Sequence, residues 1–322
     1  LPPHPRNAPS PTRENIPGAH PHPECYPPPA MSVQLQPAPV SQCTGFSIVI
    51  PSWNNLEFLR LCLDSLRNHS QLSHQILVHL NDGRDGSLEY VRSLGLAHTV
   101  STQNIGICYA VNLAAALAQN DWIVYLNDDM YCCPGWDVAL ARKIQSLGHD
   151  ACMLSGTMIE PLDTGNACVR VRDFGRDAAT FRESELLRAA PDLVKPDWLG
   201  ATWPPTVLSR RWWNAIGGFS ADFSPGISSD NDLSMKMWQA GCRCFLGVGD
   251  SLVYHFISRS TGKIKKNNGR RQFYKKWGIP QSLFDHAFLR RGAPAHETTL
   301  PEPTKNGAYY ANLLRHVLKY GR

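Results

Sequence analysis

Ile123-Val124-Tyr125-Leu126-Asn127-Asp128-Asp129 is the stretch whose reading decides the fold. Its apolar run has the length of a short buried strand. It closes on an amide and two carboxylates, shortly before a turn at Pro134-Gly135. Open α/β sheets bind ligands outside the carboxyl ends of their strands. Two adjacent acids with no basic neighbour in sequence repel each other unless a cation or a polar ligand lies between them. A hard divalent cation meets that need, since Mg²⁺ is commonly held by one or two carboxylates plus substrate phosphates. Asp pairs at turns also occur as solvated loops or helix caps, so this stretch alone leaves both readings open.

Upstream, Phe46–Pro51 predicts a short buried strand stopped by proline, followed by a turn at 52–55. Leu56, Leu59, Leu63 and Leu66 then recur at helical spacing. Gln75–Leu80 predicts a second strand, ending in Asn81-Asp82-Gly83, and Ser87 is placed to cap the helix through Leu88, Val91 and Leu94. Thr99–Ser101 predicts a third strand, and Gly106 leads into a helix over Ala110–Ala118. Strand and helix alternate, which implies parallel strands with helical crossovers. Asn54, Asp82, Asn104, Asp128 and Asp129 all fall at strand carboxyl ends, as a ligand-binding edge requires.

Downstream, a helix over Asp137–Leu147 is closed by Gly148, and a strand is expected near Met153–Ile159. The chain turns aromatic around Trp198, and a short helix from Arg210 closes at Gly217-Gly218. Ser229-Asp230-Asn231-Asp232-Leu233 opens another helix. One aspartate there is explained as an N-cap favoured by the helix dipole. A second is less well explained, and a carboxylate held at a helix start is suited to general base work. Cys244–Leu246 and Ser251–Tyr254 predict a strand pair ending at His255, and 305–322 predicts an amphipathic helix.

The 322 residues suffice for one large domain or two modest ones. Thirteen of the 25 prolines lie in residues 1–45, where no apolar periodicity offsets ordering entropy, so that segment is expected to be disordered. Net charge is only +5, yet residues 251–284 hold eight Lys or Arg and no acid. Such a patch, with Arg259 and Lys263 beside Ser258, Ser260 and Thr261, suits a phosphate-bearing partner. Nucleic acid is disfavoured, because one short basic patch on a near-neutral body is a small electrostatic footprint. There is no GxGxxG after the first strand and no GxxxxGK[ST] loop, which argues against dinucleotide and P-loop enzymes. The ten cysteines have no zinc spacing and read as free thiols of a reducing compartment. No apolar run approaches the ~18–20 residues of a membrane span.

Taken in order, residues 50–55 (Ile-Pro-Ser-Trp-Asn-Asn), 81–87 (Asn-Asp-Gly-Arg-Asp-Gly-Ser), Asn104-Ile105-Gly106 with Asn112, Leu126–Asp129, Gly217-Gly218-Phe219 and Asp230–Leu233 resemble glycosyltransferase family 2. The resemblance covers about 46 to 276. It implies an α/β GT-A fold: a Rossmann-like, mostly parallel sheet flanked by helices. A nucleotide-sugar half (46–150) would be followed by an acceptor half with a basic loop (151–276), then a C-terminal extension (277–322). It further implies inverting transfer of a hexose or deoxyhexose from a nucleotide sugar to a glycan or lipid-linked hydroxyl, with Mg²⁺ or Mn²⁺. Pro51, Asn54, Asp82, Asn104, Asn112, Asn127 and Asp128 would meet the donor. Asp129 would bind metal, joined by His255. Asp230 would be the catalytic base, and Trp198, Asp232, Arg259 and Lys263 would lie on the phosphate or acceptor side. Such an enzyme is expected in the cytoplasm, at or near the inner face of the membrane. The alternative is a catalytically silent GT-A domain that binds nucleotide sugar or glycan as a scaffold. Three departures stand out. Asn127 opens the DXD-like motif where Asp is common, Ser229 stands where Glu often precedes the base, and the turn at 81–87 is one residue short.

Overall fold

The computed structural model describes residues 34–40, 42–257 and 267–320. The first half follows the expected alternation: β1 (Ser47–Trp53), α1 (Leu56–His69), β2 (Gln75–Asn81), α2 (Ser87–Ser93), β3 (Ala97–Ser101), α3 (Ile107–Ala115) and β4 (Trp122–Tyr125). After β4 come β5 (Met130–Cys132), α4 (Trp136–Leu147), β6 (Cys152–Glu160), β7 (Arg170–Val171), α5 (Glu183–Ala189), β8 (Trp198–Leu199) and β9 (Thr206–Ser209). The chain continues through α6 (Arg210–Ile216), α7 (Ser229–Gln239), β10 (Cys244–His255) and α8 (Gly269–Trp277), and a last helix spans Gly307–Tyr320.

One mixed ten-stranded sheet runs β3-β2-β1-β4-β9-β6-β10-β5, with β7 on β6 and β8 on β10. β3, β2, β1 and β4 are mutually parallel, because each crossover is a helix. β9 inserts antiparallel between β4 and β6, so the sheet leaves the purely parallel pattern where the second half begins. The expected strand pair before His255 is a single strand, β10, whose register on β6 shifts between Val248 and Leu252. A bulge of this kind bends a long strand without ending it.

The buried faces explain the placement of the helices. α1 presents Leu59, Cys62, Leu63 and Leu66 to the sheet, the i, i+3, i+4, i+7 stripe of an amphipathic helix. β1 and β4 are buried on both faces, as central parallel strands are. All nine described cysteines are free, and eight are buried as small hydrophobes. Among the described residues, no helix is long and apolar enough to cross a membrane.

The described part of the proline-rich segment is not detached from the body. Leu35 N–H donates to Ala240 O (2.9 Å), and Ala38 N–H donates to Asp150 Oδ1 (2.8 Å). Arg211 Nε also donates to Asp150 Oδ2 (2.6 Å), and Trp212 Nε1 to Oδ1 (3.2 Å). Burial pushes the Asp150 carboxyl up, but Arg211 and the other donors outweigh it and hold it below the usual range. Asp150→Ala is expected to cost about 2 kcal/mol at pH 7, mainly through donors left unpaired. A depressed carboxylate contributes stability above its unfolded pKa and loses it as pH falls through the folded one. Urea titrations at pH 7 and pH 3 should therefore show a larger deficit for the variant at pH 7 than at pH 3.

Candidate functional site

β4 leads directly into the site. The chain leaves the sheet at Leu126, turns through Asn127-Asp128-Asp129 and returns as β5 against β10. That register sets Met130 opposite His255, and Phe256 N–H donates to Asp129 O (3.1 Å). The end of β10 is thereby fixed beside the acidic turn. His255 Nε2 lies 3.6 Å from Asp129 Oδ1, and His255 Nδ1 lies 3.0 Å from Glu160 Oε1, at the end of β6. The carboxylate partner assigns the proton to Nδ1 and leaves Nε2 turned toward Asp129.

The electrostatics follow from burial. Burial first, then the charge of Asp129, push the Asp128 carboxyl up, while Ser52 and Asn55 pull it down. Burial would lower His255, but Asp129 and Glu160 outweigh it and raise the imidazole. Two carboxyl groups therefore flank one imidazole, with Asp128 beside Asp129 in the turn, an excess of negative charge that suits a hard cation. Among the described residues no group of three or more His, Cys, Asp or Glu converges on one point. The protein would thus supply two ligands, Asp129 and His255, and leave the other positions to water or phosphate oxygens. The donor set fits Mg²⁺ or Mn²⁺ on those terms.

A cavity of about 390 Å³ opens beside this cluster. Asn127, Glu160 and His255 line one side, and Ser229 and Asp230 line another. Ile107, Tyr125, Met130, Met158 and Trp203 give it largely apolar walls. Asp230 sits in the first turn of α7, half-buried, and its burial pushes the carboxyl up to about 7. Gly226, before that helix, has φ 147°, and a Cβ there would lie 2.6 Å from Ile107 Cγ2. Glycine is therefore required where the loop passes α3.

A second polar group gathers at the ends of β1 and β2. Asn54 (φ 45°) and Asp82 (φ 70°) both adopt left-handed backbone, tolerated best by Asn and Asp among side-chain-bearing residues. Asn54 Nδ2 donates to Asp82 Oδ2 (3.2 Å), and Arg84 donates to both Asp82 oxygens. Arg84 first, and then Asn54, hold the Asp82 carboxyl below its usual range despite desolvation. Pro51 is buried within β1. Asn104 Oδ1 accepts from Gly106 N–H (2.8 Å) and shapes the turn into α3.

Other sequence candidates are engaged elsewhere. Asn112 is buried and exchanges two hydrogen bonds with the Phe219 backbone (2.8 and 2.9 Å), tying α3 to the loop after α6. Asp232 is fully buried, accepting from Ser220 Oγ and Trp277 Nε1 and pairing with Lys276 at 2.8 Å. Trp198 is buried against Gly247 and donates to Thr157 Oγ1 (3.0 Å). None of these three lines the cavity. Arg259 and Lys263 lie outside the described residues. Sequence reasoning missed Glu160 and Trp203. Glu160 ends a nine-residue strand buried throughout, where an acid is the exceptional residue, and that was the available signal.

The profile described as "Glycosyl transferase family 2" matches residues 47–182, which span β1 through the loop before α5 and include the acidic turn. This segment belongs to glycosyl transferase family 2. The chain is also 23% identical over 257 residues to Polypeptide N-acetylgalactosaminyltransferase 8 of Drosophila melanogaster. That match covers 74% of the chain but only 42% of the relative, so the chain spans under half of that relative's length. Among solved structures, S. aureus TarS 1-349 in complex with UDP-GlcNAc superposes with a TM-score of 0.51 at 15% identity. The superposition covers 72% of this chain and 64% of that one. A mannosyltransferase of Pyrobaculum calidifontis in complex with GDP-Man and Mn²⁺ gives 0.47 at 17% identity, covering 72% and 62%. The fold is GT-A: an α/β sheet flanked by helices.

Proposed function

We propose that the chain is an inverting glycosyltransferase that moves a sugar from a nucleotide-sugar donor to a hydroxyl acceptor, with Asp230 as general base. The observation that carries this reading is the placement of Asp230 on one cavity with Asn127 and His255. A carboxyl pushed up to about 7 by burial is poised to take a proton near neutral pH. The donor would lie along the carboxyl ends of β1, β2 and β4. Asp82 and Asn54 would then face the base, and Asn127 and Asp128 the ribose and sugar. Asp230 would take the proton of the acceptor hydroxyl as its oxygen attacks the anomeric carbon from the side opposite the leaving diphosphate. A divalent metal at Asp129 and His255, when bound, supplies positive charge to that diphosphate.

Turnover tests the reading. UDP-, GDP-, CDP- and dTDP-sugars are incubated with the protein and Mn²⁺, with nucleoside diphosphate release measured and the anomeric configuration of the product read by ¹H NMR. Release from one donor with inverted configuration is expected. Release with retained configuration would overturn the inverting assignment, and no release from any donor would overturn the enzymatic one.

Glu160 belongs to the same reading. A carboxylate bonded to the far nitrogen of a metal-binding histidine fixes its tautomer and orientation, and its loss typically costs 10–100-fold in affinity. Glu160→Leu should weaken Mn²⁺ binding by roughly that factor in titration calorimetry. An unchanged affinity would remove Glu160 from the site.

A further inference from the structure

We infer that the C-terminal extension, through Gln281, Asp285 and Arg291, positions both Asp230 and the aromatic cavity wall. The inference rests on the proposed role of Asp230. Ser228, two residues before the base, has φ 67°, a conformation that costs a β-carbon residue energy and persists only when its surroundings enforce it. The enforcement is visible: Ser228 Oγ donates to Gln281 Oε1 (2.7 Å). Gln281 Nε2 donates in turn to Asn231 Oδ1 (2.9 Å), and Asn231 Nδ2 donates to Asp285 Oδ1 (2.7 Å). The residues flanking the Ser229-Asp230 pair are thus both held from the extension.

The same carboxylate continues to the other wall. Arg291 Nη1 pairs with Asp285 Oδ2 at 2.6 Å, and the guanidinium lies 4.3 Å from the centre of the Trp203 ring. Trp203 lines the cavity with Asp230. Asp285 therefore joins the start of α7 to the tryptophan in two steps. The extension is held against the body at this point. Gly292 N–H donates to Leu199 O (2.9 Å), Leu199 N–H donates to Ala293 O (2.8 Å), and a Cβ on Gly200 would lie 2.6 Å from Arg291 Cα. These residues lie outside the segment that matches the family profile. A planar guanidinium that stacks on a ring while donating to a carboxylate is not replaced by an ammonium.

Two full-length variants test it: Arg291→Lys, and the charge-free pair Asp285→Asn with Arg291→Gln. Two quantities are read in each, hydrolysis of the donor with water as acceptor, and the pH at which Asp230 ionises. The second comes from the pH dependence of the stability difference that Asp230→Asn makes in each background, and it needs no turnover. The titratable groups facing Asp230 (Cys108, Tyr125, and Glu160 and His255 across the cavity) are the same in every background. The expected result is a kcat about tenfold lower with donor KM within twofold, and an ionisation midpoint moved by half a pH unit or more. An unmoved midpoint in both variants would overturn the inference, as would a fall in stability with kcat unchanged. If wild type hydrolyses no donor, the proposed function fails, while the midpoint still decides whether the extension positions Asp230.

Discussion

Asp230→Asn should abolish transfer while leaving donor binding intact. General base catalysis contributes about 10²–10⁴ in rate, and an amide of nearly the same shape cannot accept the acceptor's proton. The wild-type rate should rise with pH through about 7, because burial holds the Asp230 carboxyl there and only its ionised form acts. The variant should also differ in stability. A carboxyl raised on folding stabilises the native state while protonated, and that contribution is lost as pH rises through about 7. Removing the charge should therefore make the variant more stable at pH 8, by roughly 1–2 kcal/mol after allowance for the partly exposed side chain. No such gain is expected at pH 4. Rate loss with gained stability is the mark of a residue kept for chemistry. Loss of both rate and stability at pH 8 would assign Asp230 to structure instead.

Asp129→Ala should remove the metal dependence of nucleotide binding. Asp129 is buried and stands 3.6 Å from His255, in a cluster whose other acid, Asp128, is already forced toward its neutral form. With Asp129 gone, His255 alone cannot hold Mg²⁺, which prefers oxygen ligands. A ligand at 100 times its Kd adds about 2.7 kcal/mol to stability, and that increment should vanish in the variant when nucleoside diphosphate is added with Mn²⁺. Melting without ligand should rise slightly or hold steady, because like-charge repulsion with Asp128 is relieved. A nucleotide shift that survives the substitution would place the metal elsewhere or make it dispensable.

Much of the sheet was legible because the signals were local. The strands β1, β2 and β4 are short apolar runs stopped by polar residues, and the helices between them carry leucines at helical spacing. The closing glycines of α4 and α6 were readable too, as left-handed Gly148 and Gly217. What could not be read was long-range. β9 inserts between β4 and β6 through pairings that no local pattern announces. The two runs of β10 looked like separate strands because Gly247, Gly249 and Asp250 interrupt the apolar pattern, whereas the chain bulges there and continues.

The site divided the same way. The acids expected at strand ends lie there, and Asp129 and His255 are brought together by the β5–β10 register. Asp232 and Asn112 carry the residue types of a site but are buried in hydrogen bonds that hold loops together. A polar residue in a motif and a polar residue satisfying a buried backbone look alike in sequence. Glu160, Trp203 and the extension were missed because their relevance lies in tertiary partners: a histidine, a cavity and a base.

The most direct test of the central claim is the melting temperature of the wild-type protein against UDP, GDP, CDP, dTDP and UDP-GlcNAc, each with and without Mn²⁺. The account predicts a shift that requires both metal and one particular base, since the acidic turn and Asp82 would have to be engaged together. No shift with any nucleotide, in a protein that melts cooperatively, would contradict the donor site and the function built on it.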